Sequence, residues 1–284
     1  MSKREDASAS PPRVLVPDLA EHLAGSEESR GEEILLGKEE REHVRSRRLR
    51  DGDEVVALDG KGARARAVLA RGGTAIALLP SKKIFSSSSF SSSSSFPLPG
   101  EPANRVVVAL ACAEPARVEW AIEKGTECGA AGFILIDAER SQRAHVAALA
   151  KRMARLVRIA EEATKQCDRT IVPFVEGPRS TEEFLGGVRG ETLLVADPGA
   201  SFAPGAPSPS RVNSLRSDST RVRREGPGPL LGAVTVAIGP EGGFAPAELN
   251  LFEERGALRT SLGRRILRVE TAVVVALARL VDPA

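Results

Sequence analysis

The sequence predicts an α/β protein in which a small β-barrel precedes a larger domain of alternating strands and helices. Three observations carry that prediction. Residues 13–83 hold short apolar runs broken by Asp/Gly turns, residues beyond Asn104 alternate strand-length and helix-length apolar patterns, and a stretch of almost pure serine separates the two. Alternation of strand and helix implies a mainly parallel sheet with helices on both faces. Short strands punctuated by glycine and aspartate suit an all-β module.

The elements follow in order. Residues 1–11 are polar and read as a disordered tail. In the barrel region, 12–83, strands are predicted over 34–36, 54–58, 63–70 and 74–79, with turns at Asp51-Gly52-Asp53, Asp59-Gly60-Lys61-Gly62 and Gly72-Gly73. Residues 84–103, serine-rich with interspersed phenylalanine and then proline, cannot build a core and read as a flexible linker. The second domain, 104–284, opens with a buried strand over 105–111 and a helix over 115–128, with Gly129 just past its end. A strand over 133–136, one long helix over 144–164, the short run 171–173, a helix over 181–185 and a strand over 192–196 come next. Residues 199–229, rich in Pro, Gly, Ser and Arg, read as a disordered insertion. The apolar run 234–238 and a final helix over 269–280 complete the domain. That helix is apolar on nearly every face up to Arg279, so it is expected to be covered on all sides by its own sheet or by a second subunit.

Composition narrows the classes of function. With 284 residues and 42% hydrophobic content the chain can bury a sizeable core, but it has no tyrosine, which removes that side chain as acid, base or stacking platform. Cys112, Cys128 and Cys167 form no Cys-x-x-Cys pair, and with only three scattered histidines no metal set is expected. No apolar stretch approaches the roughly 20 residues that span a bilayer. The reading is cytoplasmic, in a reducing compartment, with no membrane partner.

Two glycine turns carry the chemistry. Ile238-Gly239-Pro240-Glu241-Gly242-Gly243-Phe244 closes an apolar strand, and Leu262-Gly263-Arg264-Arg265-Ile266-Leu267-Arg268 opens the final helix. Glycine lets main chain approach a ligand closely, and in open α/β sheets such turns line the crevice at the carboxyl ends of strands. Neither turn is a phosphate loop: the spacing is wrong, no Gly-Lys-Ser/Thr follows, and Glu241 would repel a phosphate. A carboxylate beside backbone amides suits a ligand bearing an ammonium or sulfonium group. Each turn alone is also consistent with a tight connection without a ligand; the pair points to two walls of one small-molecule pocket.

Charge is uneven. Net charge is only +2, but Arg41, Arg45, Arg47, Arg48 and Arg50 crowd around His43. A basic cluster on a small barrel is an expected phosphate-backbone footprint. A solvated helix face, offset by Glu39, Glu40 and Glu42, is the alternative.

These residues resemble the SPOUT superfamily of knotted methyltransferases, and within it the ribosomal RNA small subunit methyltransferase E family. The likeness rests on the two glycine turns and Glu270-Thr271-Ala272, with further matches at Lys124-Gly125-Thr126-Glu127, Gly129, Glu139-Arg140-Ser141, Gln166, Arg169 and Pro173. His43, Arg48, Gly52 and Asp59-Gly60 match in the first domain. The resemblance covers all but the tail, the linker and the insertion. Two departures stand out: Ser46-Arg47 replaces the usual Val-Leu, and Lys165 stands where Glu is common.

The resemblance implies an N-terminal PUA-like RNA-binding barrel and a SPOUT α/β domain with a deep trefoil knot. It implies S-adenosyl-L-methionine as methyl donor, N3 of a uridine in 16S rRNA near the decoding site as acceptor, the small ribosomal subunit as partner, and a homodimer. The cofactor would lie against Ala196, Ile238, Gly239, Pro240, Glu241, Gly242, Gly243, Leu262, Gly263, Ile266, Leu267 and Arg268. Arg268 and Arg140 are the candidate catalytic residues, and Glu270 is expected to cap the final helix. His43, Arg45, Arg47, Arg48, Arg50 and Arg169 are the candidate RNA contacts. A catalytically silent RNA-binding assembly factor and a related knotted methyltransferase acting on tRNA are the competing readings.

Overall fold

The computed structural model describes residues 11–24, 33–79, 100–102, 104–200 and 233–281. The expected tail, serine linker and insertion therefore lie outside the described residues, apart from Pro11, 100–102 and 199–200. The chain divides into two units, one built from the first 94 positions with Asp168–Ile171, the other from 95–167 and 172–284.

In the first unit, β1 (Arg13–Leu15), α1 (Leu19–Ala24), β2 (Glu33–Leu35), α2 (Lys38–Ser46), β3 (Glu54–Leu58), β4 (Arg64–Ala70) and β5 (Ala75–Leu78) follow one another. The strands form one five-stranded sheet in the order β1-β3-β4-β5-β2. Alternation sets the faces: Ala65, Ala67 and Leu69 of β4 point into a core with Val14, Ile34, Val55 and Ile76, while Arg66 points out. Closure into a barrel is not found. β1 and β2 are the sheet's edges, three residues each, and they do not pair among the described residues. Ladders that short offer too few main-chain groups to seal a barrel.

Aspartates hold the turns. Asp51 accepts from Gly72 N and Gly73 N at 2.8 and 2.9 Å. Buried Asp59 accepts from Lys61 N and Ala63 N at 2.7 and 2.8 Å. The segment Asp168–Ile171 belongs here although it lies far along the chain from the rest of this unit: Gly62 N donates to Thr170 O (3.2 Å), and Arg13 Nε donates to Asp168 Oδ1 (3.1 Å).

The second unit contains β6 (Arg105–Ala111), α3 (Pro115–Glu127), β7 (Gly132–Asp137), α4 (Arg143–Ala150), α5 (Met153–Gln166), β8 (Phe174–Ser180) and α6 (Thr181–Gly187). It continues with β9 (Thr192–Ala196), β10 (Ala233–Ile238), α7 (Pro246–Glu254), β11 (Leu258–Thr260) and α8 (Val269–Leu280). The six strands are all parallel, in the order β11-β9-β10-β6-β7-β8. Both faces are covered, so central strands read as continuous apolar runs. Val108 and Leu110 of β6 face the core shared with α3, α5 and α8, and Ala109 and Ala111 face the one shared with α6 and α7.

Two expectations need correcting. The helix predicted over 144–164 is two helices, broken at Lys151 and Arg152. The break lets both Leu149 and Leu156 reach the core, while Arg152 and Arg155 grip Glu119 of α3. Those two cations hold the Glu119 carboxyl below its ordinary value. The run 171–173 precedes a strand instead of forming one: β8 starts at Phe174, and Pro178 is tolerated within it because β8 is an edge strand paired only to β7. Of the two coverings expected for α8, its own chain supplies only part. It buries Val269, Ala272, Val273, Ala276, Leu277 and Leu280, but leaves Val274 and Val275 half-buried and Ala278 exposed. No helix among the described residues is long and apolar enough to cross a membrane.

Candidate functional site

Register brings the two glycine turns to one edge of the sheet. Ala196, the last residue of β9, pairs with Ile238 of β10 on one side and with Thr260 of β11 on the other. The first turn leaves β10 directly after Ile238, and the second leaves β11 directly after Thr260. Strands lie about 4.8 Å apart, so both turns emerge within about 10 Å, flanking the carboxyl end of β9. This is the crevice position of a parallel sheet.

The first turn is folded on itself. Gly243 N donates to Pro240 O at 2.8 Å, and Gly243 has φ +68°, a left-handed conformation that favours glycine. A Cβ at Gly239 would stand 3.0 Å from Phe244 N and 3.2 Å from Gly243 C. Phe244, buried, packs against Phe252 of α7 with ring centroids 4.9 Å apart and the rings tilted by 55°, and anchors the turn. Glu241 and Gly242 are exposed at its tip. Glu241 pairs with Arg117 of α3 at 3.3 Å, and Arg140 Nη1, from the loop after β7, donates to Gly242 O at 2.7 Å. Arg140 and the glycine turn are thus brought together, a contact that sequence reasoning did not foresee.

The second turn is tied at its start and open at its tip. Ser261 Oγ donates to Gly263 O at 3.0 Å, and Ser261 O accepts from Arg279 Nη1 of α8 at 3.4 Å. Gly263 has φ +142°, and nothing lies within 4 Å of where its Cβ would be. A hollow of about 400 Å³ opens there, between Leu262, Gly263, Arg264, Arg265 and Leu267 on one side and Val275 and Arg279 of α8 on the other. Residues 238–244 do not line it. The expected two walls therefore share an edge, while only the second borders this hollow.

Charge at the second turn is unneutralised. Arg264, Arg265 and Arg268 are exposed, and among the described residues their guanidinium groups have no hydrogen-bond or ion-pair partner. Ile266 between them is 88% exposed. Arg268 is the N-cap of α8: its carbonyl accepts from Ala272 N at 2.8 Å, and its side chain makes no capping bond. Among the described residues the capping expected of Glu270 is not found either; its Oε2 is buried without a partner there.

Two residues at this edge escaped the sequence reading. Asp197, following Ala196, accepts from Gly199 N (2.9 Å) and from Arg259 Nε of β11 (2.8 Å), and its own N donates to Thr260 O (2.9 Å). Glu248 of α7 is buried and accepts three hydrogen bonds, from Glu139 N (3.0 Å), Thr181 Oγ1 (2.6 Å) and Ala245 N (2.9 Å). Pro246 followed two residues later by a glutamate is the helix-start pattern that could have flagged it. Cys112, at the end of β6, is no nucleophile: burial first, then the Asp137 charge, pushes its thiol up to about 12. Among the described residues no cluster of three His, Cys, Asp or Glu could hold a metal.

In the first unit, α2 ends in a Schellman motif, with Leu49 N bonded to Val44 O (3.1 Å) and Arg48 N to Arg45 O (3.0 Å). Arg48 occupies the left-handed position at φ +56°, where glycine is usual. Arg45, Arg47, Arg48 and Arg50 are exposed, without side-chain partners among the described residues. His43 is half-buried, and Arg169, at 3% exposed, offers no guanidinium to a ligand as the chain stands.

Residues 100–281 match the RNA methyltransferase domain family. The chain is 33% identical over 235 residues to ribosomal RNA small subunit methyltransferase E of Mycobacterium bovis, covering 81% of this chain and 79% of that protein. It is 31% identical over 246 residues to the protein of the same name from Synechocystis, covering 82% and 67%. Two solved structures share the fold. One is a ribosomal RNA small subunit methyltransferase E from Neisseria gonorrhoeae bound to S-adenosyl methionine (TM-score 0.71, 23% identity, 95% of this chain and 96% of that one). The other is a putative methyltransferase from Legionella pneumophila with the same cofactor (TM-score 0.70, 23% identity, 96% and 97%).

Proposed function

Because the chain belongs to the ribosomal RNA small subunit methyltransferase E family, we propose that it transfers a methyl group from S-adenosyl-L-methionine to N3 of a uridine in 16S rRNA, near the decoding site. The observation that carries the reading is the register at Ala196, which sets both glycine turns around one strand end. The residues present fit the donor. Bare main chain at Gly263 faces open space, and Glu241 supplies a carboxylate at the tip of the opposite turn.

S-adenosyl-L-methionine, when bound, supplies a methyl group made electrophilic by its sulfonium. The chain's own contribution is position and charge. Main chain from Ile238 to Gly243, Ala196, and Leu262 to Leu267 hold the donor, and Glu241 orients it. Uridine N3 lies on the Watson–Crick edge, so the base reaches the site unpaired or flipped out. In-line attack demands that donor and acceptor be held together. N3 gives up its proton to solvent and bonds the methyl carbon as the sulfur–methyl bond breaks and S-adenosylhomocysteine leaves; Arg268, with Arg140 as second candidate, stabilises the negative charge on the uracil. The arginines after α2 dock the RNA backbone.

The same reading carries a PUA-like first unit, a trefoil knot in the second, and action in the cytoplasm. It also carries a homodimer, supported by the half-covered face of α8 at Val274, Val275 and Ala278. Calorimetry with S-adenosyl-L-methionine separates the enzyme from a silent RNA-binding protein; absence of binding counts against the enzyme. Mass spectrometry of small-subunit RNA from a deletion strain tests the acceptor. If a uridine in 16S rRNA stays methylated while a tRNA loses a methyl group, the tRNA reading replaces this one.

A further inference from the structure

We propose that Glu248 is a positioning residue for methyl transfer, fixing the loop that carries Arg140 against the first glycine turn. The inference rests on the reading of Arg140 given above. Its carboxylate closes a ring of contacts. Oε1 accepts from Glu139 N, the peptide beside Arg140, at 3.0 Å. Arg140 Nη1 donates to Gly242 O at 2.7 Å. Three residues on, Ala245 N returns to Glu248 Oε2 at 2.9 Å. Thr181 Oγ1 adds a third donor at 2.6 Å and ties in the start of α6.

One side chain thus holds both partners of the Arg140–turn contact. It is only 5% exposed, and among the described residues no cation pairs with it. Burying a carboxylate without a counter-charge is expensive; three donors offset that cost here, and an apolar side chain would leave them unpaired. What the position supplies, and an apolar side chain cannot, is two acceptor oxygens aimed at two separate loops. A glutamine of equal size has one acceptor oxygen and turns an NH₂ towards a backbone N–H.

The test is a double-mutant cycle in the full chain, read by single-turnover methylation of small-subunit RNA at saturating donor. Glu248→Gln should slow transfer about ten-fold or more, since displacement by an ångström can cost about a hundred-fold. The affinity for S-adenosyl-L-methionine by calorimetry should fall by less than the rate does, because Glu248 meets the turn at Ala245, beyond the stretch 238–243 that holds the donor. Amide exchange at Glu139 and Ala245 should accelerate. Glu248→Gln combined with Arg140→Ala should be no slower than Arg140→Ala alone. Multiplying effects in the double variant would overturn the proposal, as would weakened donor binding with the rate intact. An Arg140→Ala variant at full rate would instead remove the underlying assignment of Arg140, and this inference with it. Should Glu248→Gln not fold, Glu248→Asp, which keeps the charge but withdraws it by one methylene, takes its place in the cycle under the same criteria.

Discussion

Two arginine runs, one in each unit, have nearly the same composition and opposite electrostatic settings. Arg45-Ser46-Arg47-Arg48-Leu49-Arg50 runs off the end of helix α2, whereas Arg264-Arg265-Ile266-Leu267-Arg268 leads into helix α8, with Arg268 as its N-cap. Both are exposed, and both lack ion-pair partners among the described residues. A helix C-terminus carries partial negative charge and favours cations, while an N-terminus carries partial positive charge and disfavours them. The first run therefore sits where folding welcomes it, except for the backbone strain at Arg48. Only the last member of the second run, Arg268, meets its helix dipole, as an arginine at the N-cap where aspartate or serine would bond the first turn. Positive charge held where the fold gains nothing from it is the mark expected of a site built for a ligand.

The sharpest test of that contrast is Arg268→Asp. Methylation should fall by about 10²–10³, the loss typical when one group stabilising developing charge is removed. The fold should become more stable by about 1 kcal/mol, because aspartate caps α8. Rate assays and thermal melts should move in opposite directions; a destabilised variant, or one at full rate, would erase the distinction between the two runs.

Next in size is the effect of Gly239→Ala at the first turn. Its Cβ meets main-chain atoms of Phe244 and Gly243, so the turn must shift, costing about 1–3 kcal/mol of stability. Donor affinity should weaken in parallel. Unchanged calorimetry would show that this turn does not border the donor.

Arg47→Ala with Arg48→Ala should lower RNA affinity at every salt concentration while sparing donor binding. The slope of log affinity against log salt should become shallower by about 1.4, the value for two lost phosphate contacts to a single strand. An unaltered slope would return the first run to a solvated helix end. The smallest effect belongs to Arg48→Gly, which relieves the left-handed strain and should raise stability by about 0.5–1 kcal/mol while still weakening RNA binding. If stability drops instead, the Schellman position is not what strains this residue.

Local chemistry was legible wherever neighbours in sequence decide it. The strands 105–111 and 192–196 and the helix 269–280 agree residue for residue with β6, β9 and α8, because each is an uninterrupted apolar or periodic run. The glycine turns were legible for the same reason. The break between α4 and α5 was not: the arginines at and after it, Arg152 and Arg155, bond to Glu119, more than 30 residues away along the chain. Glu248 drew no reading from sequence, because its three donors come from three different segments. Asp197 likewise acquires its setting from β11.

By itself, then, the sequence determined the alternation of strands and helices, the two turns that need glycine, and the two clusters of cations, since each follows from a residue and its immediate neighbours. Tertiary structure alone decided that β9 lies between β10 and β11, that Arg140 meets Gly242, and that Asp168–Ile171 joins the first unit. Those outcomes depend on strand order and on hydrogen bonds between distant segments, and no local preference of a residue encodes which distant partner it will meet.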